Sequence, residues 1–364
     1  MSEIHVRKGM EHFSSDNLDA GQSLKQAHAL AFAPYAFQAA VILRDLGVLQ
    51  FLQDYRETGC TGEALFDFIQ GSSNSSQVLI HAGLASGLIY RNDGQYFITR
   101  TGHFFLTNET IRTNTSFMRD VCVPGASALS ESLRQNAPIG LKAMGNWDTI
   151  FEGLQELPEQ TRESWFAFNN HHSDAAFREA LPILFEHKPV RLLDIGGSTG
   201  RFALACLDWD EHVHVGVADI CLDVDHTEPG IKSAVKAGRV TLHPMDILHA
   251  ASDLPSNYDT IWMSQFLPCF SEEQVMEILA KCYTVLPADG YIYIMEAFWD
   301  LQVHASAAAA LQLTSLYFVN IATGSSRLYN SEDLIKMIHA AGFIITARKN
   351  SIGRGHTLLE LRKV

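Results

Sequence analysis

The stretch Val190–Trp209, VRLLDIGGSTGRFALACLDW, reads as a strand, a glycine turn and an amphipathic helix in direct succession. Apolar residues lead into Asp194. Gly196, Gly197 and Gly200 then crowd the turn, and Arg201 opens the helix. From Pro189 onward this pattern repeats. Strands are predicted at Arg191–Ile195, His212–Asp219, Val240–Asp246, Asp259–Gln265, Tyr291–Ala297, Phe343–Arg348 and His356–Leu361. Helices are predicted at Arg201–Leu207, Glu228–Ala237, Glu272–Leu286 and Ser331–Ala341. Alternation of this kind implies an α/β fold, a mostly parallel sheet covered on both faces. The last two strands are joined only by NSIGRGH, too short for a parallel crossover, so they are expected to be antiparallel. In such sheets ligands bind beyond the carboxyl ends of the strands, where the strand order switches.

The glycine turn sits at that end. A dinucleotide loop runs Gly-x-Gly-x-x-Gly, so that pyrophosphate can approach backbone at a helix N-terminus. Here Ser198 takes the middle glycine position, and Asp194 ahead of the turn is a poor neighbour for phosphate. The spacing Asp-x-Gly-x-x-x-Gly suits S-adenosylmethionine better. Its glycines admit the amino-acid portion of that molecule and the acid helps to orient it. Asp219 closes the second strand, about 20 residues past the turn, where an acid can hold ribose hydroxyls. Asp246 closes the third, where an acid can accept from the adenine amino group. One such acid is commonly a strand-end cap. Three at successive strand ends suggest one ligand.

The rest of the chain narrows the reading. At 364 residues, two domains are expected. A net charge of -14 argues against a nucleic-acid partner. No apolar run looks long enough to cross a membrane, and the N-terminus, MSEIHVRKGMEHFSSDNLDAG, is polar and unlike a secretory signal. Six cysteines lie scattered with no Cys-x-x-Cys, which fits a cytoplasmic location. Ala27–Phe51 reads as a helix with apolar residues nearly all round, expected to be buried, against a partner chain among other options. A short helix capped by Thr61, another helix and a hairpin through Asn92-Asp93-Gly94 complete a winged-helix pattern. That pattern serves either DNA binding or scaffolding, and the acidic charge favours scaffolding. Residues 1–110 are thus expected as a winged-helix-like dimerisation domain, 111–188 as a helical bridge, and 189–364 as the catalytic domain.

LLDIGGSTGRFAL, VADI, PMDIL, DTIWMSQFLPCFSEEQ, YIYIMEAF and NSEDLIKMIHAAGF together resemble the class I S-adenosylmethionine-dependent methyltransferases. The likeness is to the small-molecule O-methyltransferases with an N-terminal winged-helix dimerisation domain. It implies a Rossmann-like seven-stranded sheet, a homodimer and a small, aromatic acceptor. It also implies cofactor contacts at Gly196, Asp219, Asp246, Ile247 and Ser264. With the glycine-turn reading, the candidate cofactor residues are Asp194, Gly196, Gly197, Gly200, Asp219, Ile220, Asp246, Ile247, Ser264 and Gln265.

The acceptor side departs from the family. Its general-base histidine falls on Pro268, which cannot take a proton. Of its two supporting glutamates, one matches Glu296 and the other falls at Ser326. A sulfonium methyl is already a strong electrophile, so positioning a nucleophile supplies much of the rate. Alternative bases are His171, His172 and His304. Adjacent helical positions point in different directions, so at most one of His171 and His172 faces a given site. Trp165, Phe168, Phe298, Trp299, Tyr317, Phe318, Asn320 and Tyr329 are candidate pocket walls. No metal-ligand spacing is present. Two rival readings are a non-catalytic S-adenosylmethionine-binding regulator that uses the winged helix as a regulatory or DNA-binding module, favoured by Pro268, and a nicotinamide-dependent oxidoreductase, disfavoured by Ser198.

Overall fold

The computed structural model describes Glu11, residues 13–220, Leu222, Asp225, residues 227–250 and residues 252–364. The reading of the first residues as unlike a signal falls largely outside them. The chain divides into two compact units, Asp16–Arg119 and Asp120–Val364.

In the first unit, helices α1 (Ala20–Asp45), α2 (Val48–Asp54), α3 (Gly62–Ile69) and α4 (Ser73–Ala85) precede α5 (Arg100–Thr107) and α6 (Glu109–Phe117). Strands β1 (Cys60–Thr61), β2 (Ile89–Asn92) and β3 (Gln95–Ile98) form a small antiparallel sheet in the order β1-β3-β2. The hairpin turns through Asp93 at φ 47° and Gly94 at φ 80°, the left-handed pair that a two-residue loop requires. Thr61 caps α3 by accepting the Ala64 N–H. The single helix expected over Ala27–Phe51 is two. Gly47, at φ 78°, breaks it, and the axes bend by 61°. Asp19 and Gln22 start α1 as a capping box. Only the C-terminal part of α1 is buried, at Ala39, Ala40, Val41 and Leu43. Leu24, Leu30, Phe32 and Tyr35 are exposed, so within one chain the expected burial does not hold.

In the second unit, α7 (Leu129–Gln135), α8 (Ile150–Gly153) and the 26-residue α9 (Glu159–Leu184) lead to a seven-stranded sheet. Its strands are β4 (Arg191–Ile195), β5 (His214–Asp219), β6 (Val240–Pro244), β7 (Thr260–Ser264), β8 (Tyr291–Glu296), β9 (Phe343–Ile352) and β10 (His356–Lys363). Between them come α10 (Arg201–Trp209), α11 (Ile231–Lys236), α12 (Glu272–Val285), α13 (Ala305–Tyr317) and α14 (Ser331–Ala340). The order is β6-β5-β4-β7-β8-β10-β9. β4 through β8 are parallel, and β10 runs antiparallel to both β8 and β9. The seven-stranded Rossmann-like sheet is therefore as expected, with strand ends shifted by a few residues.

Alternate strand residues feed two cores. Leu193, Ile195, Ile292 and Ile294 pack with Ile278 and Leu279 of α12 and Leu334 and Ile338 of α14. Leu192, Val215, Val217, Trp262 and Tyr293 pack with Phe202 and Cys206 of α10 and Ala176 and Ala180 of α9. The Phe202 and Trp262 rings stack 4.1 Å apart, fixing α10 against the strand next to β4. The strand order reverses between β4 and β7, and the glycine turn lies at that switch.

One stretch corrects the hydropathy reading. Ala305–Ala322 reaches the length and mean hydropathy, 1.3, of a membrane span. Its C-terminal end is nevertheless tied into the unit: Asn320 is buried, donates to Gly125 O at 2.9 Å, and accepts from Ser132 Oγ at 2.8 Å.

Candidate active site

At the carboxyl ends of β4, β5 and β7 the second unit encloses a cavity of about 350 Å³. The glycine turn forms its floor. Gly196 stands at φ 78°, and a Cβ there would lie 2.3 Å from the Phe266 ring. A Cβ on Gly197 would lie 2.6 Å from Asp194 Oδ2. The backbone is bare because nothing larger than hydrogen fits between these neighbours. Ser198, at φ 49°, donates its N–H to Asp219 Oδ2 at 3.0 Å, so the acid at the end of β5 also shapes the turn.

Asp194, Gly196, Gly197, Asp219, Ile220, Asp246, Ile247, Ser264 and Gln265 all line this cavity. Gly200 does not. It is the left-handed residue before α10, at φ 86°, where a Cβ would strike Ile231. Asp246 lies two residues past the end of β6 and accepts the Leu248 N–H at 2.9 Å. Gln265 sits at φ 51° and donates its N–H to Met295 O.

Asp194 is only 2% exposed and its Oδ2 has no hydrogen-bond partner. Burial first, then the charge of Asp219, pushes its carboxyl up to about 8. Such an oxygen favours a cationic or hydrogen-bond-donating ligand. With the bare turn and the acids at the ends of β5 and β6, it fits the sulfonium- and ammonium-bearing S-adenosylmethionine.

The candidate bases are elsewhere. One face of α9 lines the cavity through Trp165, Asn169, Ser173 and Phe177, at four-residue spacing. His171 points to another side of α9, and His172, at the edge of that face, does not line the cavity either. Arg354 Nε donates to His171 O at 3.1 Å. His172 packs edge-on against Phe168, and burial, then His356, His171 and Arg354, lowers its pKa to about 3. His304 is an exposed residue at the start of α13 and not on the wall. Glu296, 2% exposed at the end of β8, sits behind the wall. Its Oε1 accepts the N–H groups of Phe266 at 3.0 Å and Leu267 at 3.2 Å. Burial raises its pKa to about 8 against the pull of those two bonds. Glu296 therefore positions the turn that places Phe266 over Gly196. Pro268 is buried in that turn and does not line the cavity.

Of the candidate walls, only Trp165 lines the cavity, and its Nε1 donates to Tyr317 Oη at 2.8 Å. Phe168, Phe298, Trp299, Tyr317, Phe318, Asn320 and Tyr329 do not. Phe298 and Tyr329 belong to the core under the sheet. The aromatic wall is instead Phe151, Trp165, Phe166, Phe266 and Phe270, with Cys269 between the last two. Ser326 bonds to Thr323, itself a wall residue. Sequence reading also passed over Arg201, although it adjoins the last glycine of the turn. The four-residue period from Trp165 to Phe177 was the available signal for Asn169 and Ser173.

A switch-point cavity of bare glycines and strand-end acids, on this strand order, defines an S-adenosylmethionine-dependent methyltransferase. The family model described as the O-methyltransferase domain matches residues 133–344, and the chain belongs to that family. Residues 24–96 match the Dimerisation2-like domain. The chain is 24% identical over 318 residues to the L-tyrosine C(3)-methyltransferase of Streptomyces lavendulae, spanning 86% of this chain and 85% of that one. It is 26% identical over 239 residues to the 3-hydroxy-5-methyl-1-naphthoate 3-O-methyltransferase of Streptomyces sahachiroi, spanning 65% and 67%. Its fold matches the apo crystal structure of the S-adenosylmethionine-dependent methyltransferase SibL at a TM-score of 0.67 and 22% identity, over 92% and 98% of the two chains. The protein is thus an enzyme that uses S-adenosylmethionine to methylate small molecules. The regulator and nicotinamide readings find no support in these matches.

Proposed function

We propose that the acceptor is a small, flat aromatic metabolite, methylated at an atom that needs no dedicated histidine base, an amine nitrogen or an electron-rich ring carbon. One observation carries this reading: a single cavity runs from the strand-end acids to the ring of Phe151, Trp165, Phe166, Phe266 and Phe270. Donor and acceptor would share it. The bound donor supplies an electrophilic methyl. Asp219 and Asp246 would hold its nucleoside and Asp194 its cationic end. Glu296 holds Phe266 and Leu267, and through them the wall beside the acceptor. The relative named as a tyrosine C(3)-methyltransferase supports carbon as one target.

The test is methyl transfer from labelled donor to a panel of phenols, arylamines and carbon nucleophiles, by wild type and Pro268→His. Wild type is expected to favour amines or ring carbons. Pro268→His is expected to gain no phenol activity, because residue 268 does not reach the cavity. A true general base contributes about 10²–10⁴-fold. A gain of that size on phenols would sink this reading.

We also propose a homodimer built on the Asp16–Arg119 unit. It is supported by the Dimerisation2-like match and by the apolar face of α1, where Leu30 is 69% and Tyr35 82% exposed. Light scattering is expected to give twice the chain mass, and Leu30→Glu with Tyr35→Glu to give the single-chain mass. A wild-type monomer at about micromolar concentration, where specific protein pairs commonly associate, counts against it.

A further inference from the structure

We infer that Arg201 receives the carboxylate of the donor's amino-acid end. The inference rests on S-adenosylmethionine as the donor. Arg201 is the first residue of α10, next to the left-handed Gly200, and lines the cavity beside Ser198 and Thr199. The first N–H groups of a helix have no partner within it, and its N-terminus favours an anion.

The guanidinium is held from behind. Nε donates to Asp174 Oδ1 at 3.1 Å, Nη2 donates to Asp174 Oδ2, and Nη1 donates to Glu228 Oε1 at 3.1 Å. Glu228 is itself fastened to the glycine turn. Its N–H donates to Thr199 O at 2.8 Å, and its carboxylate accepts from Thr199 Oγ1 at 3.3 Å. Neither Asp174 nor Glu228 is on the cavity wall, whereas Arg201 is. Three of the five guanidinium N–H groups are thereby used, leaving one on Nη1 and one on Nη2. A planar guanidinium fixed in this way loses little freedom on meeting a second carboxylate.

The other charges fit the same assignment. The donor's amino-acid end carries an ammonium and a carboxylate. The described wall residues include the acids Asp194, Asp219, Asp246 and Glu152, and Arg201 is the only cation among them. Asp194 Oδ2, buried, unpartnered and against Gly197, suits the ammonium. Arg201, past the turn, suits the carboxylate. Asp174 and Glu228 leave their cluster with Arg201 one negative charge in excess, which weakens the pull. The expected contribution is therefore that of a charge-assisted hydrogen bond, about tenfold or somewhat more in affinity.

Calorimetry with two ligands tests this. One is S-adenosylhomocysteine. The other is its analogue with a 3-aminopropyl chain in place of the amino-acid chain, which keeps the amine and lacks only the carboxylate. Wild type is expected to prefer S-adenosylhomocysteine by about tenfold or more. Arg201→Met is expected to erase that preference while binding the analogue within about twofold of wild type, a change too small to mark a lost hydrogen bond. An equal loss for both ligands would show that Arg201 only props the turn, and would overturn the inference. So would a wild type with no preference. Should Arg201→Met fail to fold, Arg201→Gln is judged by the same ratio. Absence of S-adenosylhomocysteine binding to wild type would strike at the donor itself, and this inference with it.

Discussion

Replacing Gly196 with alanine is expected to abolish useful donor binding and lower the melting temperature. Two costs add. The residue stands at φ 78°, where a side chain strains the backbone by roughly 1–2 kcal/mol. The new Cβ would also lie 2.3 Å from the Phe266 ring, and overpacking of this kind costs roughly 1–3 kcal/mol. Phe266 is poorly placed to yield, since its N–H is held by Glu296. If the ring does move, it moves within the cavity it lines. Gly238→Ala is the control. Gly238 stands at φ 70° with nothing near its would-be Cβ, and it precedes β6 at the end away from the cavity. It should lose stability through strain alone and keep its affinity for S-adenosylhomocysteine. Thermal melts and calorimetry on both variants decide the matter. Gly196→Ala with wild-type affinity would remove the turn from the donor site.

The second large effect is on pH. In the free protein the Asp194 carboxyl titrates at about 8, raised by burial and by Asp219. Below that pH it is largely protonated. A donor that brings a cation to Oδ2 favours the ionised form, so binding releases a proton. The sign follows: affinity falls as pH drops below about 8, by at most about tenfold per unit. Between about pH 8 and about pH 6 the loss is roughly fiftyfold if the bound state stays ionised throughout. Calorimetry in buffers of differing ionisation enthalpy measures the released proton directly. Asp194→Asn, which has no proton to lose, should give a weaker affinity with little pH dependence over this range. A wild-type affinity that is flat in pH would mean that Oδ2 meets no cation.

Much of this candidate donor site was legible in the chain. Asp194, Asp219 and Asp246 were readable because each lies at or just past the carboxyl end of an apolar strand, and strand ends in a parallel sheet converge on one edge. Gly196 and Gly197 were readable because a glycine cluster between strand and helix is a local signal. Pro268 was readable because its side chain lacks a proton acceptor wherever it sits. The acceptor side was less legible. Eight aromatic or polar residues were named as walls and Trp165 alone lines the cavity, since an aromatic residue carries no mark of whether it faces a core or a ligand. His171 and His172 were named because histidine is a versatile base. Neither lines the cavity, to which α9 contributes Trp165, Asn169, Ser173 and Phe177 instead.

Local pattern therefore determined the elements, their order, the parallel sheet and the class of donor, because hydrophobic period, turn glycines and strand-end acids are properties of short segments. Long-range packing decided the rest. Gly47 divides a helix that looked continuous, and the roles of Glu296 and Arg201 come from partners 30 and 27 residues away. Whether a side chain faces a cavity, or a carboxylate stands behind a guanidinium, depends on how distant segments meet. No single segment of the chain contains that information.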